Sequence, residues 1–320
     1  MKRSWALLLT VLALLTALAG CSQGKTASPE ETEKVKIGVL VPWGEADWNA
    51  GLAYYARQRC EELSQAGEIE YQLYVSGDAS EMAEQADRLR RWGAQGVVYY
   101  PYWDGMGKPL QQLLDTGAWV VSIDYGLGLE GASRVTGDHE LLGRRSAQYL
   151  VDKLGTDGLV IALNDPTAGN LSTLRQKGFE EKMIELAPNM KRETFAVSFD
   201  REKARQEFAR ILSTHPRIDG VFSMDDQVSL GVLDALEEAG RTDVQVITGG
   251  GGRQEYLARM GEEADRWLET GLYSPAMAAD AVDNALALAR GESVERIKVI
   301  APTVVDRENA AAYLDENCPY

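Results

Sequence analysis

The hydrophobic pattern of this chain alternates between two periods. From residue 35 onward, short apolar runs rich in β-branched residues give way to longer segments with apolar positions at helical spacing, and Gly, Pro, Asp or Asn mark the changes. The first run, residues 35–41, stops at Pro42. A loop carrying Trp43, Glu45, Asp47 and Trp48 follows, and helical spacing resumes at Leu52, Tyr55 and Ala56, toward residue 65. Further strands are predicted at 69–75, 96–100, 119–123, 158–163, 194–197, 220–222 and 244–248, with shorter or extended runs at 134–136, 267–272 and 298–305. Helices are predicted at 80–92, 106–116, 139–154, 172–186, 201–214, 228–239 and 276–290. Trp119, inside a strand run, reads as core. Such alternation favours parallel sheets with right-handed crossovers. It restarts near residues 136–138, so the predicted fold class is α/β, with two doubly wound parallel-sheet lobes of similar size.

In an open parallel sheet, small molecules are held by the loops that leave the carboxyl ends of the strands. The aromatic residues Trp43, Trp48, Tyr102, Trp103, Tyr125 and Tyr273 fall at such positions, as do Asp47, Asp124, Asp225 and Asp226. Aromatic faces there can stack on a sugar ring or surround a cationic head group. Carboxylates accept paired hydrogen bonds from vicinal hydroxyls or pair with an amine, so both ligand classes stay open. Asp225 and Asp226 also suit helix N-capping.

Catalytic and cofactor motifs are weaker. The run Gly126-Leu127-Gly128-Leu129-Glu130-Gly131 has the glycine spacing of a dinucleotide fingerprint, but residues 132–136 look extended where that motif needs a helix. The four glycines at 249–252 lack the Lys-Ser/Thr ending of a phosphate loop and fit a close backbone approach or a permissive turn. His139 and His215, the only histidines, have no zinc or triad spacing. No carboxylate pair is singled out for glycosidic chemistry. The expectation is a binding protein and not an enzyme, with no cofactor and no metal.

Composition narrows the partners. Lys and Arg number 33 against 49 Asp and Glu, for a net charge of −16, and no basic cluster is present to neutralise phosphates, so nucleic acid is not expected. At the start, Lys2 and Arg3 precede an apolar stretch that ends Leu18-Ala19-Gly20-Cys21. Residues 1–20 read as a secretory leader, short for a membrane span. The small residues before Cys21 resemble the bacterial lipobox, which implies lipid attachment to Cys21 and a location outside the cytoplasm. Residues 21–34 then form a flexible tether. Cys60 and Cys318 remain, either bridged as a disulfide or unpaired.

Several stretches together resemble the periplasmic binding proteins of the ribose-binding type, over residues 35–305. They are Ile37-Gly38-Val39-Leu40, Trp92-Gly93-Ala94-Gln95-Gly96-Val97-Val98, Val120-Val121-Ser122-Ile123-Asp124, Arg175-Gln176-Lys177-Gly178-Phe179, His215-Pro216-Arg217-Ile218-Asp219-Gly220-Val221-Phe222 and Asp225-Asp226-Gln227-Val228-Ser229-Leu230-Gly231. The resemblance implies two lobes with three crossings, near 136–138, 273–275 and 300–303. The first lobe would be 35–137 plus 275–300, and the second 138–272 plus 301–320. It also implies a ligand cleft closed by hinge motion, a monomer, and delivery to an ABC importer permease. Trp48 stands where the family stacks an aromatic, Asp124 where it places an acid on sugar hydroxyls, and Asp225 where the second lobe offers an amide or acid. Tyr125, Thr173 and Gly250 replace expected polar residues, and Arg175 matches an arginine whose role is often structural. Ligand candidates are therefore Trp43, Asp47, Trp48, Tyr102, Trp103, Asp124, Tyr125, Thr167, Asn170, Asp225, Gly250 and Tyr273. A looser similarity links Asp47-Trp48, Arg91-Trp92-Gly93-Ala94, Thr167-Ala168-Gly169-Asn170 and Asp306-Arg307-Glu308 to the periplasmic sensor of the trimethylamine N-oxide system. It implies an alternative, a ligand sensor for a histidine kinase or chemoreceptor that binds a methylated amine or another cation.

Overall fold

Short apolar runs bounded by Pro, Gly and Asp become strands, and five of the helices that follow are capped by an aspartate, Asp47, Asp78, Asp138, Asp200 and Asp225. A computed structural model describes residues 33–126 and 128–320, so the leader, Cys21 and most of the expected tether lie outside the described residues. The first sheet is built from β1 (Val35–Pro42), β2 (Ile69–Ser76), β3 (Gly96–Tyr99), β4 (Trp119–Ile123), β5 (Ser133–Gly137) and β11 (Ile297–Ile300). Its order is β11-β5-β4-β3-β1-β2, and every pairing is parallel. The second sheet contains β6 (Leu159–Asn164), β7 (Lys191–Ala196), β8 (Gly220–Ser223), β9 (Val246–Ile247), β10 (Trp267–Leu272) and β12 (Thr303–Asp306). Its order is β12-β10-β9-β8-β6-β7, with β12 antiparallel at the edge.

Strand periodicity decides which helices each sheet carries. On β1, Ile37, Val39 and Val41 bury against α1 (Trp48–Gln65) and α9 (Met277–Ala289), while Leu40 points to the other face, under α2 (Ala79–Trp92) and α3 (Gly107–Asp115). On β6, Val160 and Ala162 face α4 (His139–Leu154) and α5 (Asn170–Leu186). Its Ile161 and Leu163 face α6 (Arg201–Thr214), α7 (Asp226–Ala239) and α8 (Gln254–Glu262). Both sheets are thus covered on both faces, which is why central strands such as β1, β3, β6 and β8 are mostly apolar and buried, whereas the edge strand β7 is polar and largely exposed. The chain passes between the sheets after β5, after β10, and between β11 and β12.

Three features differ from the sequence expectation. The four-glycine run opens a helix, α8, that the periodicity did not predict, because Gly and Arg at its entry mask the start. The extended run at 298–305 is two strands in different sheets, broken at Ala301-Pro302. Trp119 is 42% exposed and not core, since it opens β4 at the amino-terminal rim of the sheet, opposite Gly96. The bridge between Cys60 and Cys318 is not formed, and both thiols are free. Cys60 sits in the core beneath α1, whereas Cys318 lies by Tyr55, five positions back along the helix and about 140° around it.

Helices α4 and α5 approach closely enough that their backbones touch. A Cβ on Gly143 would stand 1.9 Å from the Arg175 carbonyl oxygen, and one on Gly178 would stand 2.0 Å from that of Glu140. This contact sets where α5, and with it Arg175, sits. Gly143→Ala is therefore expected to lower unfolding free energy by about 3 kcal/mol through overpacking. Gly261→Ala in α8, where an added methyl meets open space, should raise it by a few tenths to about 1 kcal/mol. Chemical denaturation of both variants tests this, and equal midpoints would show that the α4–α5 contact is not tight.

Candidate functional site

Two helix N-termini face one another across the gap between the sheets, and each begins with the same short pattern. Asp47 caps α1, its Oδ1 accepting from the Ala50 amide at 3.0 Å, and Asn49 follows two residues later. Asp225 caps α7, accepting from the Gln227 and Val228 amides at 2.8 and 3.2 Å, and Gln227 follows two residues later. Capping spends one oxygen of each acid and leaves the other for a ligand. The side-chain amides of Asn49 and Gln227 have no hydrogen-bond partner among the described residues, and both line the cavity.

That cavity has a volume of about 230 Å³. The first lobe contributes Asp47, Trp48, Asn49, Tyr100 and Asp124. The second contributes Leu171, Arg175, Phe199, Asp225, Gln227, Gly250 and Gly251, and Tyr273 and Tyr320 complete the wall. The aromatic wall is continuous. Trp48 lies 5.4 Å from the Tyr100 ring and 6.0 Å from that of Tyr273, and its indole N–H donates to the Tyr273 carbonyl at 3.0 Å.

The floor is a buried polar cluster. Asp124, at φ 63°, is the one non-glycine residue with positive φ among the described residues, and it holds its carboxylate beneath the cavity. Its Oδ1 accepts from the Tyr273 hydroxyl, from Thr136 Oγ1 at 3.3 Å and from His139 Nε2 at 3.2 Å. His139 Nδ1 accepts from Arg175 Nε at 3.3 Å, which places the ring proton on Nε2. The Tyr273 ring stacks on His139 with centroids 4.6 Å apart, and the Arg175 guanidinium, anchored to the Met224 carbonyl, lies 5.0 Å from the Tyr273 ring. Burial works to raise the Asp124 pKa, but His139, Tyr273 and Arg175 together hold it below the ordinary value. Burial depresses the His139 pKa, and Arg175 adds to that against the pull of Asp124. The cluster is an ionised carboxylate bonded to a neutral imidazole. Across the cavity, burial and then the neighbouring Asp226 push Asp225 up to about 7.

The structure brings together six of the twelve candidates: Asp47, Trp48, Asp124, Asp225, Gly250 and Tyr273. The other six are not part of the cavity lining. Trp43 is 62% and Tyr102 55% exposed, and Trp103 packs on the first-lobe core, edge-on to Tyr102. Tyr125 is half-buried at the edge of the cavity, beside Asp124, Arg175 and the Leu171 backbone, Thr167 spends its amide and hydroxyl on Asp165, and Asn170 is exposed at the start of α5. Strand-end position alone does not fix side-chain direction, which explains Trp43, Tyr102 and Trp103. Asn49 and Gln227 could have been found by the spacing of an amide two residues after a capping acid. Arg175, Phe199 and Tyr320 carried no such signal. Among the described residues no cluster of His, Cys, Asp or Glu could hold a metal ion.

Comparison with known proteins agrees with this arrangement. A family model described as a periplasmic binding protein domain matches residues 37–293. The chain is 24% identical over 298 residues to a xylitol-binding protein of Mycolicibacterium smegmatis, covering 91% of this chain and 82% of that one. It is 30% identical over 240 residues to the ribose import binding protein RbsB of Salmonella typhimurium, covering 73% and 78% respectively. Among solved structures, an ABC transporter solute-binding protein from Mycobacterium smegmatis with bound glycerol superposes with a TM-score of 0.73 at 25% identity, over 89% of this chain and 98% of that one. A periplasmic solute-binding protein from Actinobacillus succinogenes with bound D-allose has the same fold, with a TM-score of 0.75 at 19% identity over 88% and 100% of the two chains. With its two parallel sheets, its interlobe cavity and a family match over most of its length, this chain belongs to the periplasmic binding protein family.

Proposed function

We propose that this protein is an extracytoplasmic solute-binding protein that captures a small uncharged polyol or sugar between its lobes for an ABC importer permease. The single observation that carries this reading is the facing pair of motifs, Asp47-x-Asn49 and Asp225-x-Gln227. Two carboxylates and two amides with open hydrogen-bonding capacity line one small aromatic-walled cavity. Carboxylates accept from hydroxyls, amides both donate and accept, and Trp48, Tyr100 and Phe199 offer apolar faces to C–H groups. The Arg175 guanidinium in the same wall works against a methylated amine or other cation and adds a donor for a hydroxyl or ring oxygen. Xylitol and ribose, bound by similar proteins, have the hydroxyl density this wall suits. The protein acts by binding and release without chemistry, as a monomer held at the membrane by lipid on Cys21. The carboxyl-terminal ends of both sheets close on the ligand.

A thermal-shift screen of tetritols, pentitols, pentoses, hexoses and a quaternary amine tests the assignment. A polyol or sugar at a hundredfold excess over its Kd should raise the Tm by about 5 °C or more. Asn49→Ala and Gln227→Ala should each weaken it about 5- to 100-fold, with little effect on the unliganded Tm. Stabilisation by the quaternary amine alone would sink the proposal.

Affinity should also depend on pH. A hydroxyl donated to Asp225 favours the ionised carboxylate, so binding lowers a pKa that burial and Asp226 hold at about 7 and releases a proton. Affinity therefore rises between pH 5.5 and 8, by at most about tenfold per pH unit below that pKa. Asp225→Asn, which keeps the helix cap, should flatten the profile in calorimetric titrations. Affinity that falls as pH rises would place the proton on Asp225 in the complex and contradict the proposed contact.

A further inference from the structure

The cavity wall includes a residue that reaches it from far along the chain. After the 3₁₀ turn Ala310–Tyr313, which packs beside α8, the segment 314–320 crosses to α1 and returns Tyr320 to the gap between the lobes. The segment is clamped on both sides. The Asp315 carboxylate accepts from the Tyr54 and Tyr55 hydroxyls of α1 at 3.5 and 3.4 Å, and its amide donates to Gln254 Oε1 of α8 at 2.6 Å. Gln254 in turn donates from its side chain to the Tyr313 carbonyl at 3.2 Å and from its amide to the Tyr320 carbonyl at 2.9 Å.

Room for the Tyr320 side chain is made by two glycines on opposite walls. A Cβ on Gly51 of α1 would stand 3.1 Å from the Tyr320 Cβ, and one on Gly251 would stand 2.0 Å from its hydroxyl oxygen. Gly251 also has φ +144°, which L side chains rarely adopt, so that wall is open to the ring for two reasons. The ring is 5% exposed and lies 5.6 Å from the Arg253 guanidinium, which bonds across the lobes to the Ala46 carbonyl at 2.7 Å. Its hydroxyl makes no hydrogen bond among the described residues. Tyr320 thus occupies space that would otherwise join the cavity, and the volume that remains is below the range of about 300–1,000 Å³ typical of drug-sized ligands.

We propose that Tyr320 is a specificity-determining residue. Its ring closes one end of the cavity, limits the ligand to a single sugar unit or an acyclic polyol of similar length, and offers its hydroxyl to that ligand. This rests on the polyol or sugar reading of the same cavity. Removing the ring lengthens the cavity at that end, so the excluded class is a longer ligand such as a disaccharide.

The test is calorimetric titration of the full protein and of Tyr320→Ala and Tyr320→Phe with a tetritol, a pentitol, monosaccharides and disaccharides. The wild type should bind a polyol or monosaccharide and no disaccharide. Tyr320→Ala should lose at least about tenfold for the preferred small ligand and gain at least about tenfold for a disaccharide. Tyr320→Phe should keep the exclusion and lose only part of the small-ligand affinity. Should Tyr320→Ala not fold, Tyr320→Leu, which keeps apolar contact near Gly51 but withdraws the outer ring, carries the same expectation. An unchanged order of ligands in the shortened variants, or a disaccharide bound by the wild type, overturns the role of Tyr320 alone. Absence of any sugar or polyol binding by every variant and the wild type overturns the functional reading with it.

Discussion

The Asp124 carboxylate is the constraint on which the rest of the site depends. It is held at a positive φ at the end of β4 and accepts hydrogen bonds from Tyr273, at the crossing after β10, and from Thr136, near the end of β5 where the next crossing begins. His139, the first residue of α4, completes the set and passes the contact on to Arg175 of α5. One buried charge thus joins two hinge crossings, the first lobe and the cavity wall of the second. A carboxylate so deeply buried is tolerable because Tyr273, Thr136 and His139 donate to it, and removal of one donor would leave the charge underpaired. The tight α4–α5 contact and the Met224 carbonyl position Arg175 at the floor of the cavity.

On that floor stand two helix N-termini of matching design. Capping acids place carboxylates where the strands end, and amides two residues on point into the same space. Folding and recognition therefore use the same residues, since Asp47 and Asp225 stabilise their helices with one oxygen and present the other. The neutral state of His139 leaves Arg175 as the charge opposite Asp124 in the cavity wall. This balance suits an uncharged hydroxyl-rich ligand better than an ion.

Much of the architecture was legible in the sequence because buried parallel strands are written as apolar runs and their helices as periodic ones. The strand 119–123 and the helices 139–154 and 201–214 are read with the bounds they have in the structure. The helix α8 was hidden by its glycine-rich entry, and the split of residues 298–305 between two sheets is a tertiary event that no local period encodes. Within the site, Asp47, Trp48, Asp124 and Asp225 could be read because each follows an apolar run at a predicted strand end. Trp43 and Tyr102 satisfied the same rule and are exposed outside the cavity lining, since position at a strand end does not set which way a side chain points. Tyr320 lies far from any strand end, and only the folded path of residues 314–320 brings it to the cavity.

The hub role of Asp124 is tested most directly by a double-mutant cycle on Asp124→Asn and Tyr273→Phe, read as unfolding free energy by chemical denaturation. If the Asp124–Tyr273 bond ties the hinge crossing to the cavity floor, the two substitutions are coupled by about 1.5–3 kcal/mol, and the double variant loses less than the two single variants together. Additive losses, with coupling near zero, would show that the two residues act independently and would contradict the account.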